Sequence, residues 1–335
     1  DAAPWINFDK FTNLDDGYSL KWKAKPFDKF YQDNIPVEPG VYMICVKPPP
    51  NPNFPKTLYT PIYIGMASDL YNSSSKIKAR YSLAEEILGY NIAEISFSGS
   101  LEKLSRTIYT QPAIFLHSTI MDDILKSNDI YPHAVAGHSL GEFTALVSAN
   151  VLKFDDALKI IKIRCEYMEK VGKYQSGGMA ALIGANEKQS KLIDRQIQGI
   201  VLANINAPGQ IVISGDKESI NEAIDLAKNI GIRKSIMLNV SGAFHSPLMS
   251  KARIPLRDII NSVPFYDTKI PVYQNVHAKP EFQANKIMKN LISQLESPVL
   301  WSQTITNMLN SGIKNFYEVG PGKVLSGLNR RIDNA

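Results

Sequence analysis

Residues 134–148 contain a serine whose neighbours could make it a nucleophile. Gly137, Ser139 and Gly141 form a G-x-S-x-G pattern between an apolar stretch and a helical pattern. Glycine on each side allows a sharp turn that exposes the hydroxyl near a helix N-terminus, where developing negative charge is stabilised. The backbone N–H of Leu140 is then expected to donate to an oxyanion. An isolated pattern of this kind is more often only a tight turn, so other residues must decide.

A serine nucleophile needs a base, and the chain has five histidines that could supply one. His245, in VSGAFHSPLM, is the predicted base, because the small residues before it allow this loop to approach another group closely. His117 lies in an apolar helical pattern, whereas His133 and His277 lie beside turn residues and are predicted to be at the surface. A lone histidine is more often structural than catalytic, so this assignment is a hypothesis.

Arg164 interrupts the apolar helical pattern DDALKIIKIRCEYMEKV and is therefore predicted to be buried. A buried guanidinium needs a carboxylate as its partner. Periodicity alone slightly favours an internal ion pair with Glu142 or Glu166, and the alternative is the carboxylate of a ligand.

The elements that would position these residues have the pattern of an α/β fold. From Gly65 onward, helical periodicity alternates with short β-branched runs, as in helices layered on a parallel sheet. We predict one such domain from residues 63–175 and 241–335. Residues 176–240 have the strand and helix order βαββαβ, which predicts an inserted ferredoxin-like subdomain. Residues 1–62 form an atypical N-terminal segment.

The N-terminal segment departs from the α/β pattern. Residues 41–46 are its strand candidate, and the run KPPPNPNFPK that follows excludes a helix or a central strand there. The letters GVY at residues 40–42 and YIG at residues 63–65 resemble the paired signature of GIY-YIG endonucleases, with Lys76 or Arg80 as a basic partner. A β-hairpin with tyrosines on its faces explains the same letters, so a nuclease is only one alternative.

Composition narrows the class of protein. The chain has 335 residues, 44% hydrophobic and 21% charged, which is ordinary for a folded globular protein. Two cysteines far apart favour a reducing compartment, and a dispersed formal charge of +5 does not require nucleic acid. The sequence has neither an apolar run of membrane-spanning length nor a signal-peptide pattern. We therefore expect a cytoplasmic or organelle-stromal protein that binds neither membranes nor nucleic acid.

Six segments occur in an order that is typical of one enzyme family. They are GHSLGE, IRCEYM, NINAPGQIVISG, GAFHSPLM, QLESPVLW and YEVGPGKVLSGL. In this order they closely resemble the malonyl-CoA:acyl-carrier-protein transacylases, from about residue 65 to residue 332. The resemblance also covers QPAIFLHS before the nucleophile turn. It implies a hydrolase-like acyltransferase domain.

The resemblance also implies roles for the candidate residues. Ser139 carries the acyl group as an ester, and His245 acts first as general base and then as general acid. A main-chain carbonyl, which falls here on Gln294, orients the imidazole. Arg164 binds the malonyl carboxylate through charge-assisted hydrogen bonds, which reverses the preference for an internal ion pair. Further residues expected at the pocket are His138, Met168, Asn204 and Phe244.

The implied reaction is a ping-pong transfer from malonyl-CoA to the phosphopantetheine thiol of acyl carrier protein, with no metal or redox cofactor. The letters GAFHS resemble malonyl-selective members rather than those that take methylmalonyl groups. A difference of one methyl is worth only about 1–3 kcal/mol in a pocket. The protein is expected to be a monomer.

One part of the family pattern is missing. Family members begin with a strand and a G-Q-G-S-Q loop whose first glutamine supplies a second oxyanion donor, whereas LYTPIYIGM stands here. Losing such a donor typically costs about 10²–10³ in turnover. A catalytically impaired protein that only binds carrier protein or CoA is therefore another alternative. If residues 41–46 take the place of the first strand, only the loop is altered.

Overall fold

The computed structural model describes residues 68–333 and the backbone of residues 42–45. The strands are β1 (Tyr42–Cys45), β2 (Ala134–Gly137), β3 (Gly177–Ala185), β4 (Ile200–Ala207), β5 (Gly209–Asp216), β6 (Lys234–Met237), β7 (Val272–Tyr273), β8 (Pro280–Glu281) and β9 (Phe316–Glu318). The helices are α1 (Ser68–Ser73), α2 (Ser75–Leu88), α3 (Ile92–Ser98), α4 (Leu101–Ser105), α5 (Thr107–Ser127), α6 (Gly141–Ser148), α7 (Phe154–Tyr174), α8 (Glu187–Gln196), α9 (Lys217–Asn229), α10 (Ser250–Ser262), α11 (Ala284–Ser293), α12 (Trp301–Asn310) and α13 (Val324–Asp333). None of these helices is long and apolar enough to cross a membrane.

The larger sheet has the strand order β8-β7-β2-β1-β9. β2 and β7 pair in parallel, and β1 is antiparallel to both β2 and β9, so β9 runs in the same direction as β2. β8 is antiparallel to β7 at one edge. The prediction of an α/β domain with a parallel sheet is therefore confirmed for β2, β7 and β9. Within the strand candidate at residues 41–46, the described residues 42–45 lie between β2 and β9 and run antiparallel to both.

The smaller sheet has the order β4-β5-β3-β6, and all its pairs are antiparallel. With α8 and α9 it gives the βαββαβ order, which confirms the predicted ferredoxin-like fold. Its own apolar core includes Leu182, Ile213 and Ile220, all fully buried. The boundaries of this subdomain at residues 176–240 stay a prediction.

The register of the larger sheet determines which loops meet. Val135 of β2 pairs with Val272 of β7, and Ala136 pairs with Tyr273. Because carboxyl ends of parallel strands lie at the same sheet edge, the residues that follow β2 and β7 are brought together. α7 packs between α5 and α10 beside this edge, with its apolar side buried. This arrangement places helix, turn and loop side chains around Ser139.

Candidate active site

Ser139 lies on a tight turn between β2 and α6. Its φ is +51°, a left-handed backbone conformation that is strained for a residue with a side chain. A Cβ added at Gly137 would lie 1.9 Å from the carbonyl carbon of Gly141, so the turn needs glycine at that position. Leu140 follows the serine in helical conformation at the start of α6. The turn thus holds the serine hydroxyl and the Leu140 N–H beside a helix N-terminus, as the sequence pattern predicts.

His245 contacts the serine hydroxyl from the loop before α10. Its Nε2 lies 2.8 Å from Ser139 Oγ, and its Nδ1 lies 3.0 Å from the carbonyl oxygen of Gln294 and 3.1 Å from that of Ser297. Carbonyl oxygens only accept, so Nδ1 carries the proton and Nε2 is left to accept from the hydroxyl. The backbone of His245 is also left-handed, with φ +57°.

The surroundings of His245 keep its imidazole neutral. Burial and the positive charge of Arg164 lower its pKa from 6.5 to about 3, while the bond to the Gln294 carbonyl acts in the opposite direction. At neutral pH Nε2 is therefore unprotonated and can accept the proton of the serine hydroxyl.

Arg164 extends from α7 to the same hydroxyl. One guanidinium nitrogen, NH2, donates to Ser139 Oγ at 2.9 Å and to the side-chain oxygen of Gln294 at 3.4 Å, and NH1 donates to the side-chain oxygen of Gln111. The ring of Phe143 lies 5.7 Å from the guanidinium carbon. The side chain is 1% exposed, so burial agrees with the sequence-based expectation. A fixed positive charge thus lies directly beside the candidate nucleophile.

The amide side chain of Asn275 and the buried carboxylate of Glu142 hold the serine turn in place. Ser139 N donates to Asn275 Oδ1 at 2.7 Å, and Asn275 Nδ2 donates to the Gly137 carbonyl at 2.6 Å. Glu142 accepts from Asn275 N at 2.9 Å and from the Gln294 side chain at 3.2 Å. Burial raises the pKa of Glu142, and these hydrogen bonds oppose that effect.

The remaining predicted pocket residues lie at different distances from this group. His138 is buried beside the serine, with Nε2 2.8 Å from Asn206 Oδ1. The sulfur of Met168 accepts from Gln111, which in turn contacts Arg164. Phe244 is buried next to His245, and Asn204 is buried on β4. Their roles at a pocket stay predictions.

The other candidate side chains have different surroundings. His117 is buried within α5, where burial lowers its pKa to about 4. His133 is exposed, as expected, but His277 is half-buried and is bonded to Lys279 N and to the Asn290 side chain. Arg80 forms an ion pair with Asp123 at 2.7 Å. Within residues 42–45 and 68–333, no cluster of His, Cys, Asp or Glu side chains could hold a metal ion.

Sequence reasoning missed the amides and the carboxylate that support the site. Gln111 is the first residue of the segment QPAIFLHS, but its contact with Arg164 depends on the packing of α5 against α7. Asn275 follows the end of β7. A polar residue just after the carboxyl end of a parallel strand could have indicated a place in the site. Glu142 was considered only as a partner of Arg164.

Comparison with known proteins shows the family of this chain. The sequence model of the acyl transferase domain matches residues 63–331. The chain belongs to this family. The malonyl CoA-acyl carrier protein transacylase of Bacillus subtilis is 37% identical over 275 residues, which cover 81% of this chain and 87% of that protein.

Solved structures of family members have the same fold. The acyl carrier protein S-malonyltransferase of Vibrio cholerae aligns with a TM-score of 0.77 at 34% identity, covering 81% of this chain and 90% of that one. A malonyl-transacylase in complex with its type II PKS acyl-carrier protein also aligns with a TM-score of 0.77, at 32% identity, covering 81% and 89%. The comparisons give no support to the nuclease or to the impaired binding protein. The YIG letters at residues 63–65 and the altered loop LYTPIYIGM at residues 58–66 lie outside the described residues.

Proposed function

We propose that this protein transfers a malonyl group from malonyl-CoA to the phosphopantetheine thiol of an acyl carrier protein. The observation that carries the proposal is the position of Ser139 Oγ, 2.8 Å from His245 Nε2 and 2.9 Å from Arg164 NH2. A base beside a hydroxyl supports nucleophilic catalysis, and a buried guanidinium at the same point supports an acyl group that ends in a carboxylate. The names of the similar proteins support the same substrates.

In the first half-reaction, Ser139 Oγ attacks the thioester carbonyl and its proton passes to His245 Nε2. The Leu140 N–H donates to the oxyanion that forms. The carbon–sulfur bond then breaks, the imidazolium returns a proton to the CoA sulfur, and malonyl remains on the serine as an ester. The carbonyl of Gln294 keeps the proton of His245 on Nδ1 during both proton transfers.

In the second half-reaction, the thiol of the carrier protein gives its proton to His245 and its sulfur attacks the ester. The bond to Ser139 Oγ breaks, and the serine regains its proton from the imidazolium. A malonyl-transacylase solved in complex with its acyl-carrier protein supports a carrier protein as the acceptor. Arg164 pairs with the malonyl carboxylate in both half-reactions, and this chemistry uses no group besides the chain and its two substrates.

The experiment that tests this proposal is intact-protein mass spectrometry after incubation with malonyl-CoA. We expect one malonyl adduct, which peptide mapping assigns to Ser139 and which carrier protein removes. Ser139→Ala is the control and should give no adduct. Malonyl on another residue, or an unmodified wild-type serine, would contradict the proposal.

A further inference from the structure

Glu142 is a buried carboxylate next to the serine turn. Its hydrogen bonds go to Gln274, Asn275 and Gln294 and not to the Ser139 hydroxyl. It is the second residue of α6, and its side chain is 1% exposed. Its Oε1 accepts from the side chain of Gln274 at 2.9 Å. Its Oε2 accepts from the backbone N–H of Asn275 at 2.9 Å and from the side chain of Gln294 at 3.2 Å. Three donors from outside α6 therefore converge on one carboxylate.

Two of these donors are amide side chains, and a second hydrogen bond fixes the orientation of each. Gln294 Nε2 also donates to the Ser139 carbonyl at 3.0 Å, and Gln274 Nε2 also contacts the Ile287 carbonyl at 3.3 Å. A carbonyl oxygen cannot donate, so neither amide can turn its oxygen toward Glu142 without losing that bond. Both carboxylate oxygens therefore have to accept. The hydrogen-bond pattern and the N-terminal end of α6 favour the ionised form of Glu142, and they oppose the effect of burial, which raises the pKa of this carboxyl.

Two of the three residues that Glu142 holds orient the reacting groups. Gln294 accepts from His245 Nδ1 through its main-chain oxygen, and Asn275 bonds the two successive peptide groups that lead into Ser139. The serine and the histidine both have left-handed backbones, at φ +51° and +57°. Such conformations persist only where the surrounding structure enforces them.

We propose that Glu142 is a positioning residue for acyl transfer, which anchors Gln294 and Asn275 and thereby sets the orientation of His245 and of the Ser139 turn. Glu142 touches neither the substrate nor the reacting atoms. Its effect is expected on the rate of the chemical step and not on the binding of malonyl-CoA. This inference rests on the proposed function for its substrates, but the geometry it concerns is that of the serine and histidine alone.

The test compares Glu142→Gln with Glu318→Gln in the full chain. Glu318 is a matched control, because it is also a buried carboxylate and accepts from Leu325 N, Ser326 N and Ser326 Oγ, at the end of β9. Glu142→Gln should lower kcat about 10²-fold, since misplacing reacting groups by about 1 Å has that effect, with KM for malonyl-CoA unchanged. Glu318→Gln should lower thermal stability but leave kcat unchanged.

Two further measurements separate positioning from general damage. The acid limb of the kcat profile should move to lower pH in Glu142→Gln, because the Gln294 carbonyl normally raises the pKa of His245. If this variant does not fold, Glu142→Asp replaces it, and a loss of about tenfold is expected, because the carboxylate is set back by one methylene. Unchanged kcat in a folded variant, or an equal loss in Glu318→Gln, would overturn the proposal.

A fluorophosphonate probe distinguishes this inference from the proposed function. It reacts with a serine activated by histidine and needs no malonyl-CoA, so labelling of Ser139 reports the positioning alone. We expect rapid labelling of the wild type and slow labelling of Glu142→Gln. If malonyl-CoA does not acylate the wild type but this difference in labelling persists, the proposed substrate is wrong and the positioning role stands. Equal labelling rates, or a wild-type Ser139 that is not labelled, would refute that role.

Discussion

The hydroxyl of Ser139 lies between a permanent cation and a neutral base. Arg164 NH2 donates to its oxygen at 2.9 Å, and His245 Nε2 is placed to take its proton at 2.8 Å. The cation disfavours protonation of the imidazole, which is one reason for the lowered pKa of His245. A bound carboxylate would neutralise this cation. We therefore expect the acid group of the substrate both to bind Arg164 and to make His245 more basic.

Replacing Arg164 tests the acid-binding role. Arg164→Ala should lower kcat/KM for malonyl-CoA by roughly 10- to 100-fold, because a hydrogen bond to a charged group contributes about 1.5–3 kcal/mol. The rate with acetyl-CoA should not fall, so the preference between the two thioesters is lost. Steady-state kinetics measures this, with circular dichroism to check the fold. A protein that unfolds, together with an inactive but folded Arg164→Lys, would instead indicate a structural role.

The pH dependence of stability should reveal the buried imidazole. The pKa of His245 is about 3 in the folded protein against an ordinary 6.5, so the unfolded chain binds more protons between these values. Stability from this residue is present above pH 6.5 and is lost as the pH falls toward 3, by up to about 1.4 kcal/mol per pH unit. Denaturant unfolding of wild type and His245→Gln should show a steeper fall for the wild type. Parallel curves would contradict the burial argument.

At the residue scale, side-chain chemistry made part of the site predictable. Ser139 stands between two glycines, and Arg164 interrupts an apolar stripe, so each differs visibly from its neighbours. Gln111 and Asn275 do not, because an isolated amide breaks no periodic pattern and gains its role only from partners 53 and 136 residues away. The roles of Ser139, His245, Arg164 and Gln294 stay predictions that the experiments above address.

At the element scale, close backbone contact joins α7 to the histidine loop. A Cβ added at Gly172 of α7 would lie 2.0 Å from the carbonyl oxygen of Ser241, four residues before His245. The helix can therefore approach the loop only where a side chain is absent. The helices and strands were the most predictable part of the fold, because the spacing of apolar residues that indicates each of them is local in the sequence. The direction of β1 was not, since antiparallel pairing with both β2 and β9 depends on how the chain enters the sheet.

Gly172→Ala tests this contact. The added methyl group should displace the loop, destabilise the protein by roughly 1–3 kcal/mol as overpacking does, and lower kcat. Gly327→Ala is the matched control, because Gly327 lies in α13 with nothing within 4 Å of an added Cβ. It should stabilise the protein by about 0.5–1 kcal/mol and leave kcat unchanged. Thermal unfolding and steady-state kinetics measure both effects, and equal results for the two variants would contradict the argument.

At the scale of the whole molecule, one segment joins the smaller sheet to the candidate active site. Val299 N donates to the Ala203 carbonyl at 2.8 Å, and Ile205 N donates to the Val299 carbonyl at 2.9 Å, so β4 of the smaller sheet pairs with the chain between Gln294 and α12. The same segment provides the carbonyls that orient His245. The larger sheet, in turn, includes β1, which precedes the region that matches the family.

The position of β1 predicts the effect of shortening the chain. A protein that begins at residue 63 keeps the whole family-matched region but leaves β2 and β9 without the strand between them. Unpaired strand edges promote association between copies, so we expect a lower unfolding temperature and more aggregation than in a protein that begins at residue 40. Thermal unfolding with light scattering measures this. Equal behaviour of the two proteins would mean that β1 contributes nothing to the sheet.

The left-handed backbone at Ser139 and His245 affects which substitutions the fold tolerates at these positions. Glycine fits such a conformation without strain, whereas a residue with a Cβ costs about 1–2 kcal/mol there. At Ser139, whose side chain is small, folding therefore favours glycine and the chemistry opposes it, whereas glycine at His245 would also leave a cavity in place of a buried imidazole. Among relatives that have lost the activity, we expect replacement of this serine by glycine to be well tolerated by the fold.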